Sequence, residues 1–193
     1  MIRAAAERSP AGVLLAAGTS SRFGSDKLLH PLADGTPIVL RSARTLLAAL
    51  PRSVAVVRDG DGAVAQMLER AGLEIVECRA QPPGMGASIA CGVSASRDAD
   101  GWVIALADMP FVKLAAVEAV ASALRSGAAL AAPWCRGRRG HPVGFAAGFG
   151  SALAGLAGDS GARSILERHA TEVVRLPWED EGVLRDIDVP ADL

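Results

Sequence analysis

Short runs rich in Val, Ile, Leu and Ala alternate along this chain with longer stretches whose apolar residues recur at helical spacing. The runs "GVLLAA" (12–17), "SVAVVR" (53–58), "LEIVE" (73–77), "WVIALA" (102–107), "ALAAP" (129–133) and "EVVRLP" (172–177) predict strands. Between them, residues 37–50, 62–72, 86–96, 114–127 and 160–170 predict helices. Thr36 is placed to cap the first of these, with Pro37 in its first turn, and Gly72 and Gly127 are placed to stop two others. "GHPVGF" (140–145) predicts an extended return segment, and the chain closes on "LRDIDVPADL" (184–193). Alternation of this kind argues for an α/β fold with a mainly parallel sheet. No long linker, repeat or low-complexity tract divides residues 1–193, so one domain is expected. Ligands of such sheets bind at the carboxyl ends of the strands, which singles out the loops after residues 17 and 107.

Composition narrows the function classes. A net charge of −1 gives the whole chain no pull toward nucleic acid or an acidic membrane surface. No apolar run reaches the length of a membrane span, and "MIRAAAERSP" lacks the apolar region of a secretory signal. The three cysteines, Cys78, Cys91 and Cys135, are odd in number, far apart and without a CxxC pair. They suggest neither a disulfide framework nor a zinc site, and a cytoplasmic location is expected. Of the 20 basic residues only Lys27 and Lys113 are lysines, which makes a lysine in the opening loop more notable.

That loop, "GTSSRFGSDK" (18–27), combines Gly18 and Gly24, three hydroxyl residues, Arg22 and Lys27. Backbone N–H groups, hydroxyls and cations together suit a triphosphate, and a plain Gly/Ser connection with surface charges is the competing reading. It is neither a Walker A loop, since Lys27 follows Asp26, nor a dinucleotide fingerprint, since the middle glycine is missing. Asp108 ends the run 102–107 at the rim of the sheet, where it could serve as a Mg²⁺ ligand or as a turn residue before Pro110. "QPPGMGASIACG" (81–92) could form one wall of a base and ribose pocket or a Pro/Gly loop before a helix. In "GRRGHPVGF" (137–145), Arg138, Arg139 and His141 could meet a phosphorylated second substrate, or decorate a solvated hairpin. In "GDSGAR" (158–163), Asp159 could simply cap a helix beginning near Ser160, or Arg163 could instead reach an anionic substrate.

Taken in order, these segments resemble the MobA-like nucleotidyltransferases. "LLAAGTSSRFGSDKLL" is similar to the family's LAAGxSxRxGxxK signature. The resemblance implies nucleotide binding by Leu15, Ala16, Ala17, Gly18, Arg22 and Lys27. "DMP" stands where the family holds its metal, and "DIDVPADL" resembles a DIDTPEDL ending in which Asp188 completes the metal site with Asp108, although Val189 and Ala191 depart from that pattern. The fold implied is a single-domain, Rossmann-like three-layer sandwich of the nucleotide-diphospho-sugar transferase type. The GMGxS segment, with Gly84, Gly86 and Ser88, and "GHPVGF" look like the molybdenum cofactor cytidylyltransferase branch. Ala17, where guanylyl-transferring relatives tend to carry glycine, leans the same way.

The activity implied is Mg²⁺-dependent transfer of CMP from CTP to the terminal phosphate of molybdopterin, with loss of pyrophosphate. Arg22, Lys27 and Asp108 would carry the chemistry, and Arg138, Arg139, His141 and Arg163 would receive the acceptor. GTP or another phosphorylated acceptor, and a non-catalytic factor that delivers the cofactor to a client molybdoenzyme or its chaperone, are the alternatives. A redox protein of the dinucleotide-binding type is disfavoured by the missing GxGxxG.

Overall fold

The computed structural model describes residues 9–18, 27–60 and 62–193, and its alternating strands and helices follow the hydrophobic pattern. The strands are β1 (Ala11–Leu15), β2 (Ser53–Val57), β3 (Glu74–Glu77), β4 (Gly101–Leu106), β5 (Leu130–Cys135), β6 (Arg138–Arg139), β7 (Val143–Ala146) and β8 (Val173–Pro177). The helices are α1 (Ile38–Ala49), α2 (Ala63–Arg70), α3 (Met85–Ala95), α4 (Leu114–Arg125), α5 (Gly150–Ala154) and α6 (Arg163–Arg168).

One sheet runs in the order β3-β2-β1-β4-β7-β5-β6, with β8 also paired to β5. β3, β2, β1 and β4 are mutually parallel, β8 is parallel to β5, and β7 runs antiparallel between β4 and β5. The return segment of the sequence is this antiparallel β7. Side chains alternate between the two faces, as a strand requires. Leu14, Ala55, Val57 and Val103 pack with α1, α2 and α4, whereas Val13, Val54, Val56 and Ile104 pack with α3, α5 and α6. Helices thus cover both faces, and the architecture is the single-domain α/β sandwich expected.

Several local readings shift. Thr36 does not cap α1: the helix starts at Ile38 behind Pro37, and the Thr36 N–H instead donates to Asp34 Oδ1 at 3.0 Å in a tight turn. The helix expected over 160–170 shortens to Arg163–Arg168, and Asp159 makes no side-chain cap. The largest correction concerns cysteine. Cys78 and Cys91, 13 residues apart, form a disulfide with a Cα–Cα separation of 5.9 Å. Spacing along the chain could not reveal it, because the pair is made by α3 folding back over the end of β3. Cys135 is the free, buried cysteine.

The strand order locates the ligand cleft. The chain winds from β1 outward through β2 to β3, crosses to the opposite face as α3, and returns as β4 on the other side of β1. The connections leaving β1 and β4 therefore diverge to opposite sides, opening a crevice above the sheet at that point. α3 lies very close to the sheet: a Cβ on Gly92 would stand 2.5 Å from Val13 Cγ1 and 2.9 Å from Val56 Cγ2. At its other end, the Gly86 and Ala87 N–H groups donate to the Gly158 carbonyl at 2.8 and 3.2 Å. A Cβ on Gly86 would stand 2.6 Å from the Ser160 carbonyl oxygen, so Gly86→Ala should cost about 1–3 kcal/mol of stability, read by urea unfolding. A variant as stable as the parent would show that this contact gives way freely.

Candidate active site

A cleft of about 730 Å³ opens at that switch point. Its floor and walls come from the ends of four parallel strands. Leu15 ends β1 and Ala17 and Gly18 follow it, Arg58 follows β2, Cys78 and Arg79 follow β3, and Leu106 ends β4 with Asp108 just beyond. Gln81, Pro83, Gly84, Met85 and Ser88 supply the side nearest α3, and Asp159 reaches in from the loop before α6. The loop backbone is pinned to the sheet, since the Ala16 N–H donates to the Val56 carbonyl at 2.8 Å and the Ala107 N–H to the Leu15 carbonyl at 3.1 Å. Arg22 lies outside the described residues.

Lys27 opens a single 3₁₀ turn, Lys27–Leu29, and its side chain is buried. Its ammonium donates to Asp108 Oδ2 at 2.9 Å, to Asp188 Oδ1 at 3.1 Å and to the Ile187 carbonyl at 2.7 Å. Burial alone would favour the neutral amine. The hydrogen bonds and charges of Asp108 and Asp188 outweigh that and hold the Lys27 pKa above the ordinary lysine value. Two carboxylates 80 residues apart in sequence are thus gathered on one cation at the mouth of the cleft.

The C-terminal segment delivers the second carboxylate. The Ile187 N–H donates to the Asp108 carbonyl at 2.9 Å, which lays residues 186–188 alongside the end of β4. Asp192 then fixes the turn: its Oδ2 accepts from the N–H groups of Asp188 and Val189 at 2.8 and 2.9 Å. These backbone bonds hold the Asp192 carboxyl below the usual carboxylate range. Val189 and Ala191, the departures from the DIDTPEDL pattern, leave this turn intact because the organising group is Asp192. Sequence reading misses Asp192, although an acid three residues beyond Val189 is the signal of such a turn.

The remaining expected residues do not converge. Gly84 and Ser88 line the cleft, and the Ser88 hydroxyl donates to the Gly84 carbonyl at 3.0 Å, but Gly86 faces the Gly158–Ser160 backbone. Arg138 and Arg139 are successive strand residues and point to opposite sides. Arg138 joins Arg136, Arg185, Glu181 and Asp186 around a separate hollow of about 330 Å³. Arg139 is half-buried near Arg163 and Glu167; burial and the like charge of Arg163 lower its pKa, against the pull of Glu167. Arg163 itself donates from Nε to Glu167 Oε1 at 2.7 Å.

His141 departs furthest from expectation. Its ring is packed in a small apolar hollow with Thr45, Met109 and Val117, and its Nδ1 is buried without a hydrogen-bond partner among the described residues. Burial, with the nearby Arg139 charge, pushes its pKa down to about 4, although Asp186 opposes this. In the unfolded chain the same group would titrate near its ordinary 6.5, so the unfolded state binds more protons between pH 6.5 and 4 and stability falls with acidification through that window. Lowering the pH from 7 to 5 should cost about 1–2 kcal/mol through this group. Urea unfolding of His141→Leu at both pH values should show that part of the slope removed, and an unchanged slope would assign it elsewhere.

Arg58 and Arg79 also escape a reading of the sequence. Arg58 Nη2 donates to the Ala17 carbonyl at 2.9 Å, and Arg79 forks onto Glu77 at 2.7 and 2.8 Å. Both lie within two residues of the ends of parallel strands, so the rule that selects Gly18 and Asp108 would find them too.

Among the described residues, no group of three or more His, Cys, Asp or Glu side chains could hold a metal by itself. The site instead offers two carboxylates on a strand-end rim beside a large cleft. That is the equipment for a cation shared between protein and a phosphorylated ligand. Comparison with known proteins identifies the family. Residues 12–173 match the MobA-like NTP transferase domain. The chain is 33% identical over 189 residues to nicotine blue oxidoreductase of Paenarthrobacter nicotinovorans, covering 92% of this chain and 91% of that protein. It is 32% identical over 198 residues to the purine catabolism protein PucB of Bacillus subtilis (strain 168), covering 95% and 94%. Among solved structures, Rv0371c from Mycobacterium tuberculosis H37Rv superposes with a TM-score of 0.80 at 25% identity, covering 97% and 96%. That protein has also been crystallised with manganese. Strand-end cleft, paired carboxylates and opening loop thus accompany a match over most of the length, and this chain belongs to the MobA-like NTP transferase family.

Proposed function

We propose that this family member is a Mg²⁺-dependent cytidylyltransferase that moves CMP from CTP to the terminal phosphate of molybdopterin and releases pyrophosphate. The observation that carries the reading is the meeting of Asp108, Asp188 and Lys27 at the mouth of the cleft. Both carboxylates turn an oxygen toward one ammonium, so this point already stabilises a cation, and the oxygen donors suit Mg²⁺. When bound, the metal would supply charge neutralisation on the nucleotide phosphates.

The rest follows from this chain's own residues. The nucleotide lies in the cleft with its phosphates over the β1 loop, and Lys27 and Arg22 offset negative charge on the departing pyrophosphate. An oxygen of the acceptor phosphate attacks the α-phosphorus, and the bond to the β-phosphate oxygen breaks. A phosphate monoester has its second pKa near ~6 and is largely dianionic at neutral pH, so no strong general base is needed. Neutral His141, packed away from the cleft, is consistent with a reaction driven by alignment and charge. For the acceptor phosphate, Arg139 and Arg163 are the candidate pair because they are like charges near each other, although neither lines the cleft. Arg138, on the other face of its strand, is a weaker candidate.

The cytidine preference rests on Ala17, which lines the cleft, and on the GMGAS and GHPVGF segments. The test is pyrophosphate release from CTP, GTP and ATP, each with Mg²⁺ and molybdenum-loaded molybdopterin. Release with CTP is expected. Preference for GTP would keep the chemistry and overturn the reading of Ala17, and no release with any nucleotide would reject this acceptor. Because one relative is named an oxidoreductase, NADPH binding belongs in the same experiment, and binding of NADPH in place of CTP would favour the redox reading.

A further inference from the structure

The Cys78–Cys91 disulfide is built into the wall of the cleft. Cys78 is tied to the sheet, its N–H donating to the Val57 carbonyl at 2.9 Å, while Cys91 sits in the middle of α3 against the core. The bond therefore fastens both ends of the intervening segment, one end to the sheet and the other to a packed helix. Of the sixteen described residues lining the cleft, eight lie between these two cysteines, among them Arg79, Gln81, Gly84 and Ser88. That segment includes a Pro/Gly stretch without regular structure, Gln81–Gly84, which leads into the first turn of α3, where the Gly86 and Ala87 N–H groups donate to the Gly158 carbonyl. Both bonded cysteines are partly exposed, and Cys78 faces the cleft, so a small reductant has access; Cys135 is buried and carries no competing thiol to the surface.

We infer that the Cys78–Cys91 bond is a reversible redox latch on the nucleotide cleft: oxidised, it holds the 79–90 wall in a binding-ready shape, and reduced, it releases that wall and weakens nucleotide binding. This rests on the nucleotide reading of the cleft. A dithiol donates two electrons and two protons, the Cys78–Cys91 S–S bond breaks to two thiols, and the dithiol closes to its own disulfide; oxidation by a disulfide reverses each step. Holding a binding wall in its bound shape improves affinity by removing the ordering cost from the binding step.

The experiment uses the full chain, poised with oxidised or reduced dithiothreitol. Thiols are counted by maleimide mass shift after denaturation, CTP and GTP affinities are measured by calorimetry with Mg²⁺, and amide exchange is followed over 79–90. One thiol in the oxidised state and three in the reduced state are expected. Nucleotide affinity should fall ~3- to 10-fold on reduction, with faster exchange over 79–90, and recover on reoxidation. Three thiols under oxidising conditions, or equal affinity and equal exchange in both states, would overturn the latch. If neither nucleotide binds in either state while exchange still responds, the nucleotide reading fails and the latch remains as a clamp on the cleft. Cys91→Ser should match the reduced protein in both redox states; if that variant does not fold, the reversible cycle of the unmodified chain decides alone.

Discussion

Asp108→Asn is expected to lower turnover by roughly 100- to 1,000-fold, the range seen when a charge-stabilising group is removed from a reacting centre. Asparagine keeps the shape of the side chain and an oxygen that can accept from Lys27, so the loop after β4 should hold its place. What disappears is one of the two negative charges around the cation position. The Asp108 side chain is 26% exposed, and Lys27 keeps Asp188 and the Ile187 carbonyl. The stability loss should therefore stay near ~1 kcal/mol or less. Pyrophosphate release, Mn²⁺ titration and urea unfolding on the same preparation separate the two effects. Near-normal turnover at saturating Mg²⁺ would remove Asp108 from the metal site.

Lys27→Met should be the most damaging substitution for stability and also impair catalysis. The ammonium is buried, and it satisfies two carboxylates and the Ile187 carbonyl at once. Methionine fills similar volume but leaves like charges facing each other and a carbonyl without this donor. Breaking a buried ion pair on one side costs about 3–5 kcal/mol, and the half-exposed Asp188 places this case near the lower figure. The same geometry predicts a compensation. A divalent cation can take over the role of the missing ammonium between Asp108 and Asp188. Added Mn²⁺ should therefore stabilise Lys27→Met more than it stabilises the parent, in unfolding experiments run against a chelator control. Turnover should nonetheless fall ~10-fold or more, since the metal cannot replace the cation on the pyrophosphate. Equal stabilisation of both proteins by Mn²⁺ would show that the ammonium and the metal do not share the two carboxylates.

Much of the architecture is legible in the amino-acid sequence. Six strands and the main helices follow from periodicity, and the choice of Gly18 and Asp108 follows from strand ends alone. What escapes are short or composite features. β6 has two residues and α5 has five, too few for a period to register. Adjacency in sequence groups Arg138 with Arg139, yet strand geometry turns adjacent residues apart, and only the recognition of β6 as a strand separates them. His141 reads as a polar candidate in its segment, but its neighbours come from α1, the β4 loop and α4, which pack around the ring and bury its Nδ1.

The α/β class, the strand and helix order and the strand ends at which ligands gather are all encoded locally, because they depend on residue propensity and on the spacing of apolar residues over a few turns. Which distant groups meet is a matter of tertiary structure. Lys27 reaches a carboxylate 81 residues away and another 161 residues away, and Cys78 finds Cys91 only through the return of α3 over β3. Such meetings depend on the order and register of the sheet, set by the packing of whole faces against one another, and no local run of residues encodes that packing.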